Sequence, residues 1–237
     1  MSAIIVIIAV AASIPWQVKD FVFQVTFDLF YENPVVESKE IVDEILTSFE
    51  RVEINILEKD FRVKSKIDDL PYRNMLQGSK YYLVPQKEVY RRIVGNTRIK
   101  DLMSRDHFYM EAIFDRSQKL YWLIDKRILY KILELRKELA AQDYNQDGFW
   151  VRHGYRTPQF NEDVNGASES RHIKGEAVDL LIRDINNDGK HTKKDKEIVL
   201  SLLENKVIGN SGGIGKYPGT KIVHIDVRGN RARWDTY

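Results

Sequence analysis

The chain contains no cysteine. That excludes disulfides and thiolate metal sites, so any metal ion it holds must be bound by histidine and carboxylate. It also lacks a lysine and arginine run long enough to form a basic stripe. With a net charge of +2 there is no reason to expect nucleic acid as a partner. Hydrophobic runs are short as well. The uncharged apolar stretch Ala3–Ile14 falls below the roughly 20 residues that a spanning helix needs. It suits the apolar part of a secretory signal, and Ala9-Val10-Ala11 resembles a cleavage site, although no positive charge precedes it. We read residues 1–16 as an export signal or membrane anchor, which puts the protein in the periplasm or cell envelope. The alternative is a buried first element of a domain.

What is present fits a globular protein: 237 residues, 43% hydrophobic and 30% charged, enough for one large domain or a catalytic domain with a smaller companion. Residues 17–105 show no chemistry. Phe21, Phe23, Val25 and Phe27 alternate as in a strand, while residues 37–51 have the helical spacing Ile41, Ile45, Phe49. Val52, Ile54 and Ile56 predict a short strand, residues 80–84 another, and residues 86–94 a short helix. Together these suggest a small α+β extension. The spacing over residues 123–139 predicts an amphipathic helix, with Ile128, Leu129, Ile132 and Leu133 on one wide apolar face.

Chemistry concentrates after residue 150. His172 and Asp179 lie on either side of Gly175, and His224 stands in the later segment VHIDVRG. Two neutral imidazoles and one carboxylate make three of the four ligands of a zinc ion, with the last place left for water. On a single helix the first two side chains would sit roughly 10 Å apart along the axis, too far for ligand bonds of about 2.0–2.2 Å. His172 is therefore placed on a loop that turns at Gly175, folding back beside a buried strand, Ala177–Ile182, that carries Asp179. A surface histidine and an aspartate in a turn account for these residues equally well. Alternation over residues 222–227 puts His224, Asp226 and Arg228 on one strand face.

The segments GYRTPQFN, SRHIKGEAVD and GGIGKYPGTKIVHIDVRG, in that order, resemble peptidase family M15, the zinc D-Ala-D-Ala carboxypeptidases and murein endopeptidases. Ser170, His172, Gly175, Ala177 and Asp179 match the shared Ser-x-His-x-x-Gly-x-Ala-x-Asp motif, and the likeness covers about residues 106–237. The resemblance implies His172, Asp179 and His224 as zinc ligands and Arg156 as a residue holding substrate or stabilising the oxyanion, a task that suits a fixed guanidinium. His153 stands where serine is common, as a packing or supporting residue. Some members carry the general base two or three residues before the last ligand; here those positions are Ile222 and Lys221. Asp226 is the first candidate for the base and Glu176 the second. Residues 212–218 are expected as a glycine-rich loop at the cleft wall, with Tyr217, like Ser170, meeting substrate. Arg231 and Arg233 are read as a solvated basic edge.

A second metal is suggested by spacing. Asp184, Asn186, Asp188, Lys190, Thr192 and Asp195, with Gly189, follow the twelve-residue calcium-loop template, Lys190 through its carbonyl and Asp195 in place of the usual glutamate. An Asn/Asp/Gly turn explains the same residues. Asp143, Asn145 and Asp147 begin a similar but incomplete pattern.

The fold expected is α+β: a small antiparallel sheet with flanking helices and a zinc cleft over residues 106–237, behind an N-terminal α+β extension over 17–105. The function expected is zinc-dependent hydrolysis of peptidoglycan stem peptides or cross-links. The alternatives are a non-catalytic, metal-stabilised wall-binding module and a metallopeptidase for other peptides.

Overall fold

The computed structural model describes residues 15–114 and 119–236, so the apolar run Ala3–Ile14 lies outside the described residues. The chain divides into two units, Met1–Pro34 and Val35–Tyr237. The first contains helix α1 (Trp16–Phe30). The alternation at Phe21, Phe23, Val25 and Phe27 predicted a strand there, and the structure corrects it. Phe21, Val25 and Leu29 also recur at intervals of four, so a segment apolar on two sides satisfies either period. Among the described residues no helix is long and apolar enough to cross a membrane.

The second unit begins with α2 (Lys39–Thr47) and β1 (Glu50–Glu53), followed by α3 (Lys59–Lys64), α4 (Tyr72–Met75) and β2 (Lys80–Val84). Next come β3 (Arg92–Val94), β4 (Thr97–Arg98), α5 (Ile99–Leu102), α6 (His107–Phe114) and β5 (Leu120–Trp122). The later part runs through α7 (Lys126–Ala140), β6 (Phe149–His153), α8 (Pro158–Asp163), β7 (Ala177–Ile182) and α9 (Lys193–Leu202) to β8 (Gly213–Gly215), β9 (Ile222–Asp226) and β10 (Ala232–Trp234). Residues 35–105 thus share a compact unit with everything that follows. Ile54 and Ile56 fall in a 3-10 turn rather than a strand, and residues 86–94 divide into a 3-10 turn and β3 rather than one helix.

The class is α+β, as expected. Among the described residues one sheet has the order β1-β2-β5, a larger one β10-β8-β9-β7-β6, and β3 pairs with β4 in a third; all pairings are antiparallel except β10 with β8. Strand β7 lies inside the larger sheet, and five of its six residues are buried, which is why its sequence is a nearly unbroken apolar run interrupted by Asp179. Helix α7 starts at Asp125, whose carboxylate accepts from the Arg127 amide at 2.9 Å. Its residues Ile128, Leu129, Ile132, Leu133, Leu135 and Leu139 are buried, and the same face carries Arg136, which is ion-paired with Asp147.

Because Ile132 is fully buried, Ile132→Ala should lower unfolding free energy by about 2–5 kcal/mol in denaturant titrations. A change within about 0.5 kcal/mol, the range of an ordinary surface substitution, would show that this face of α7 is not core.

Candidate metal centre

Strand register assembles most of the site. His153 on β6 lies opposite Asp179 on β7, Asp179 opposite His224 on β9, His224 opposite Gly215 on β8, and Gly215 opposite Trp234 on β10. Directly opposed residues share a face, so one row across the sheet carries four of these side chains. The glycines in β8 make room for the rest. A Cβ on Gly215 would lie 2.7 Å from Trp234 Nε1, and one on Gly213 would lie 2.2 Å from Asp226 Oδ2. The segment expected as a glycine-rich loop is therefore a strand in its first half, its glycines required by bulky neighbours on both sides.

His172 arrives from outside the sheet. A turn closes through Ile173 N to Ser170 O and Gly175 N to His172 O, with Gly175 at a φ of +66° and so close to Leu123 that a Cβ would sit 2.3 Å from the Leu123 carbonyl oxygen. The segment Gly154-Tyr155-Arg156 receives it. Gly154 O accepts from His172 Nδ1 at 2.7 Å, the Arg156 amide donates to His172 O at 3.1 Å, and the Tyr155 amide donates to Leu102 O.

The result is a tight, buried triangle. His172 Nε2 lies 3.2 Å from Asp179 Oδ1 and 3.1 Å from His224 Nδ1, which is itself 3.0 Å from Asp179 Oδ1. Three tetrahedral ligands at zinc–nitrogen bond lengths would be roughly 3.3 Å apart. Among the described residues, His172, Asp179 and His224 are the one group of three histidine or acidic side chains gathered closely enough to hold a metal ion.

The outer nitrogens settle which atoms face inward. A carbonyl only accepts, so His172 Nδ1 carries the proton shared with Gly154 O. His224 Nε2 lies 3.3 Å from Asp226 Oδ2, which puts its proton there. In the neutral rings, two lone pairs and a carboxylate oxygen then meet at one point with no donor among them, an arrangement that a divalent cation resolves. Burial pushes the pKa of His172 down to about 4, keeping that ring neutral. His224 moves the other way: burial opposes its charge, but Asp179 and Asp226 outweigh it.

Asp179 is held on its far side. Oδ2 accepts from Arg156 Nη2, and His153 Nδ1 stands 3.4 Å from the same oxygen. With Oδ2 engaged, Oδ1 alone faces the triangle and would be the oxygen offered to a metal ion. Arg156 thus touches Asp179 directly, a contact the sequence did not disclose, and His153 has the supporting place expected of it.

The proposed bases fare differently. Asp226 is wholly buried and accepts from Gly213 N at 3.0 Å, Arg228 Nε at 2.8 Å and Arg228 Nη2 at 2.6 Å. Burial works against its charge, yet the bonds from His224 and Arg228 prevail and hold its pKa well below the carboxylate range. Through its contact with His224 Nε2 it is placed to orient that ring. Glu176 is ion-paired with Arg171 at 2.8 Å. Ser170 is half-buried in the turn before His172, and Tyr217 half-buried two residues beyond β8. Arg231 and Arg233 both pair with Glu204; Arg231 is exposed, as a solvated edge requires, while Arg233 is largely covered.

Sequence reasoning missed the support beneath Arg156. Asp106 Oδ2 accepts from Ser104 Oγ and Thr157 Oγ1, each at 2.8 Å, and the Thr157 amide donates to Ser104 Oγ at 3.1 Å. The signal was there in Ser104-Arg105-Asp106 ahead of an apolar run, since Asp106 Oδ1 accepts from the Tyr109 amide as a helix cap does.

A family model described as Peptidase M15 matches residues 107–226, a span that includes all three converging side chains. The chain belongs to the peptidase M15 family. No curated protein and no solved structure matches it. Membership makes the protein a peptidase, of a family of metallopeptidases that act on peptidoglycan in general, and the M15 match spans α6 to β9, the elements that build the site.

The loop 184–195 is not drawn together in the same way. Asp184 accepts from the amides of Asp188 and Gly189, Asp188 from the Lys190 amide and Asn186 Nδ2. Asp195, one methylene shorter than the glutamate of the template, lies in the first turn of α9. Its Oδ1 accepts from the Ile185 and Asn186 amides, and its Oδ2 from the amide and hydroxyl of Thr192. Of the incomplete second pattern, Asp147 is paired with Arg136 and Asn145 Nδ2 donates to Asp184 O.

Two outcomes follow. His172→Ala in the M15 peptidase should abolish zinc binding in equilibrium dialysis while leaving the far-ultraviolet dichroism unchanged; retained stoichiometric zinc would place the ligands elsewhere. At Asp195, burial raises the pKa but the Thr192, Ile185 and Asn186 amides outweigh it, so the folded value lies below the usual 3.8. That stabilisation is present above the unfolded pKa and is lost as pH falls through the lower folded one. Asp195→Asn should therefore cost about 1–3 kcal/mol at neutral pH, a deficit that closes in acid. A deficit independent of pH would deny the carboxylate this part.

Proposed function

We propose that this M15 protein is a zinc metallopeptidase that hydrolyses peptidoglycan stem peptides or cross-links. The observation that supports it most is the convergence of two lone-pair nitrogens and one carboxylate oxygen, each backed by its own outer partner. Zinc, when bound there, supplies a Lewis acid and a water that ionises near neutral pH. His172, Asp179 and His224 hold the ion, and Gly154 O and Asp226 fix the two imidazoles. Arg156 is buried, and among the described residues its Nε has no hydrogen-bond partner. A substrate carbonyl would satisfy that donor, and the guanidinium would favour the charge that grows on the oxygen during attack. Ser170 and Tyr217 are the proposed substrate contacts. The substrate lies outside the cytoplasm, which agrees with residues 1–16 acting in export to the periplasm or cell envelope.

The hydrogen bonds that occupy Asp226 favour one second reading, a zinc-stabilised module that binds wall peptides without cutting them. Mass spectrometry of muropeptides incubated with the zinc-loaded protein separates the two. Released fragments that vanish in His172→Ala support hydrolysis, and Arg156→Lys should lower kcat roughly a hundredfold. Stoichiometric zinc with no fragments would leave the binding module, and cleavage of L-peptides alone would point to other substrates. A calcium ion in the loop 184–195 is a separate proposal resting on spacing. It requires Asp188→Ala to lower the melting temperature more in calcium than in chelator, and equal losses would remove it.

A further inference from the structure

Strands β6, β7 and β9 have one covered face and one open one. Phe149, Val151, Leu180, Ile182 and Val223 are buried on the core side. The other face carries the metal centre. Two residues further along the same face, Trp150 lies opposite Leu181 and Leu181 opposite Ile222. The register shifts between Val151 and His153, and this bulge turns His153 to the face of Trp150 although the two are three residues apart. The metal row and the second row therefore form one continuous surface. Trp150 is 56% exposed and Leu181 and Ile222 are half-buried, so the second row is open to solvent.

Arg183, one residue past β7, gives this surface its charge. Its guanidinium carbon lies 3.9 Å from the centre of the Trp150 ring, and among the described residues no carboxylate pairs with it. Stacking on an aromatic face fixes the plane of a guanidinium and leaves its in-plane N–H groups free to grip a carboxylate. Distance sets the reach. Trp150 stands about 7 Å along the strands and about 4.8 Å across them from Asp179, or about 8 Å in all. An extended peptide rises about 3.3 Å per residue, so a carboxylate gripped there lies within about two residues of a bond held at the metal centre.

We propose that Trp150 and Arg183 form a subsite for the terminal carboxylate of a peptide substrate, with Leu181 and Ile222 as the apolar floor between it and the metal centre. The unpaired guanidinium selects an anionic peptide end, and the shared sheet face carries the peptide from one row to the other. This rests on the peptidase reading for the nature of the substrate.

The test uses the zinc-loaded full chain and a synthetic peptidoglycan stem pentapeptide, its terminal carboxylate free or amidated. Arg183→Gln should lower kcat/KM for the free acid about tenfold or more, chiefly through KM, and should erase the preference for acid over amide. Trp150→Ala should weaken the same preference, with zinc content unchanged in both variants. Equal losses on the two peptides, or none, would overturn the subsite and leave the peptidase reading in place. If the wild-type chain cuts neither peptide, that reading fails by itself and calorimetric binding decides the subsite. Acid bound about tenfold more tightly than amide, with the difference lost in Arg183→Gln, supports it; equal binding overturns it.

Discussion

The structure depends on one ionised carboxylate buried in the middle of a sheet. Asp179 is 2% exposed and sits on a central strand otherwise made of apolar residues. An unpaired charge at such a place would carry a large desolvation cost, and the chain answers it from every side. Arg156 and His153 meet one oxygen, and a cation held together with His172 and His224 would meet the other. The same arrangement that keeps Asp179 ionised points its free oxygen at two imidazole nitrogens, so stability and metal affinity have one origin.

That dependence explains why distant segments are tied to the site. The Arg156 loop is fixed by Thr157 to Asp106 and Ser104. Its Tyr155 ring packs edge-on against Tyr81 and Tyr109. Tyr81 belongs to the three-stranded sheet, within the stretch read from sequence as an extension. Residues before 106 therefore help hold the guanidinium that holds Asp179. On the other flank, Asp226 links His224 to Arg228 and to β8, and Trp234 lies 5.1 Å from the His224 ring.

Asp226 shows how a side chain's surroundings decide its role. Its place two residues after a ligand histidine suggests proton transfer. Surrounded by Arg228 and an amide donor, its carboxylate is also placed to orient the His224 imidazole. Asp195, whose spacing also fits a calcium loop, closes the first turn of α9 with both of its oxygens.

Sequence alone determined the local features whose period or chemistry is unambiguous. The buried strand at Asp179, the strand at His224, the turn at Gly175 and the wide face of α7 were all legible, because alternation, helical spacing and a glycine with positive φ are properties of neighbouring residues. The family motif supplied the three converging side chains. Where a segment satisfied two periods at once, as in α1, sequence could not choose. Tertiary structure decided everything that depends on register between strands: that Gly213 and Gly215 clear space for Asp226 and Trp234, that Arg156 lands on Asp179, and that Arg233 lands on Glu204. These are contacts between residues far apart in the chain, and only the pairing of strands and the packing of loops against them fixes which side chains share a face.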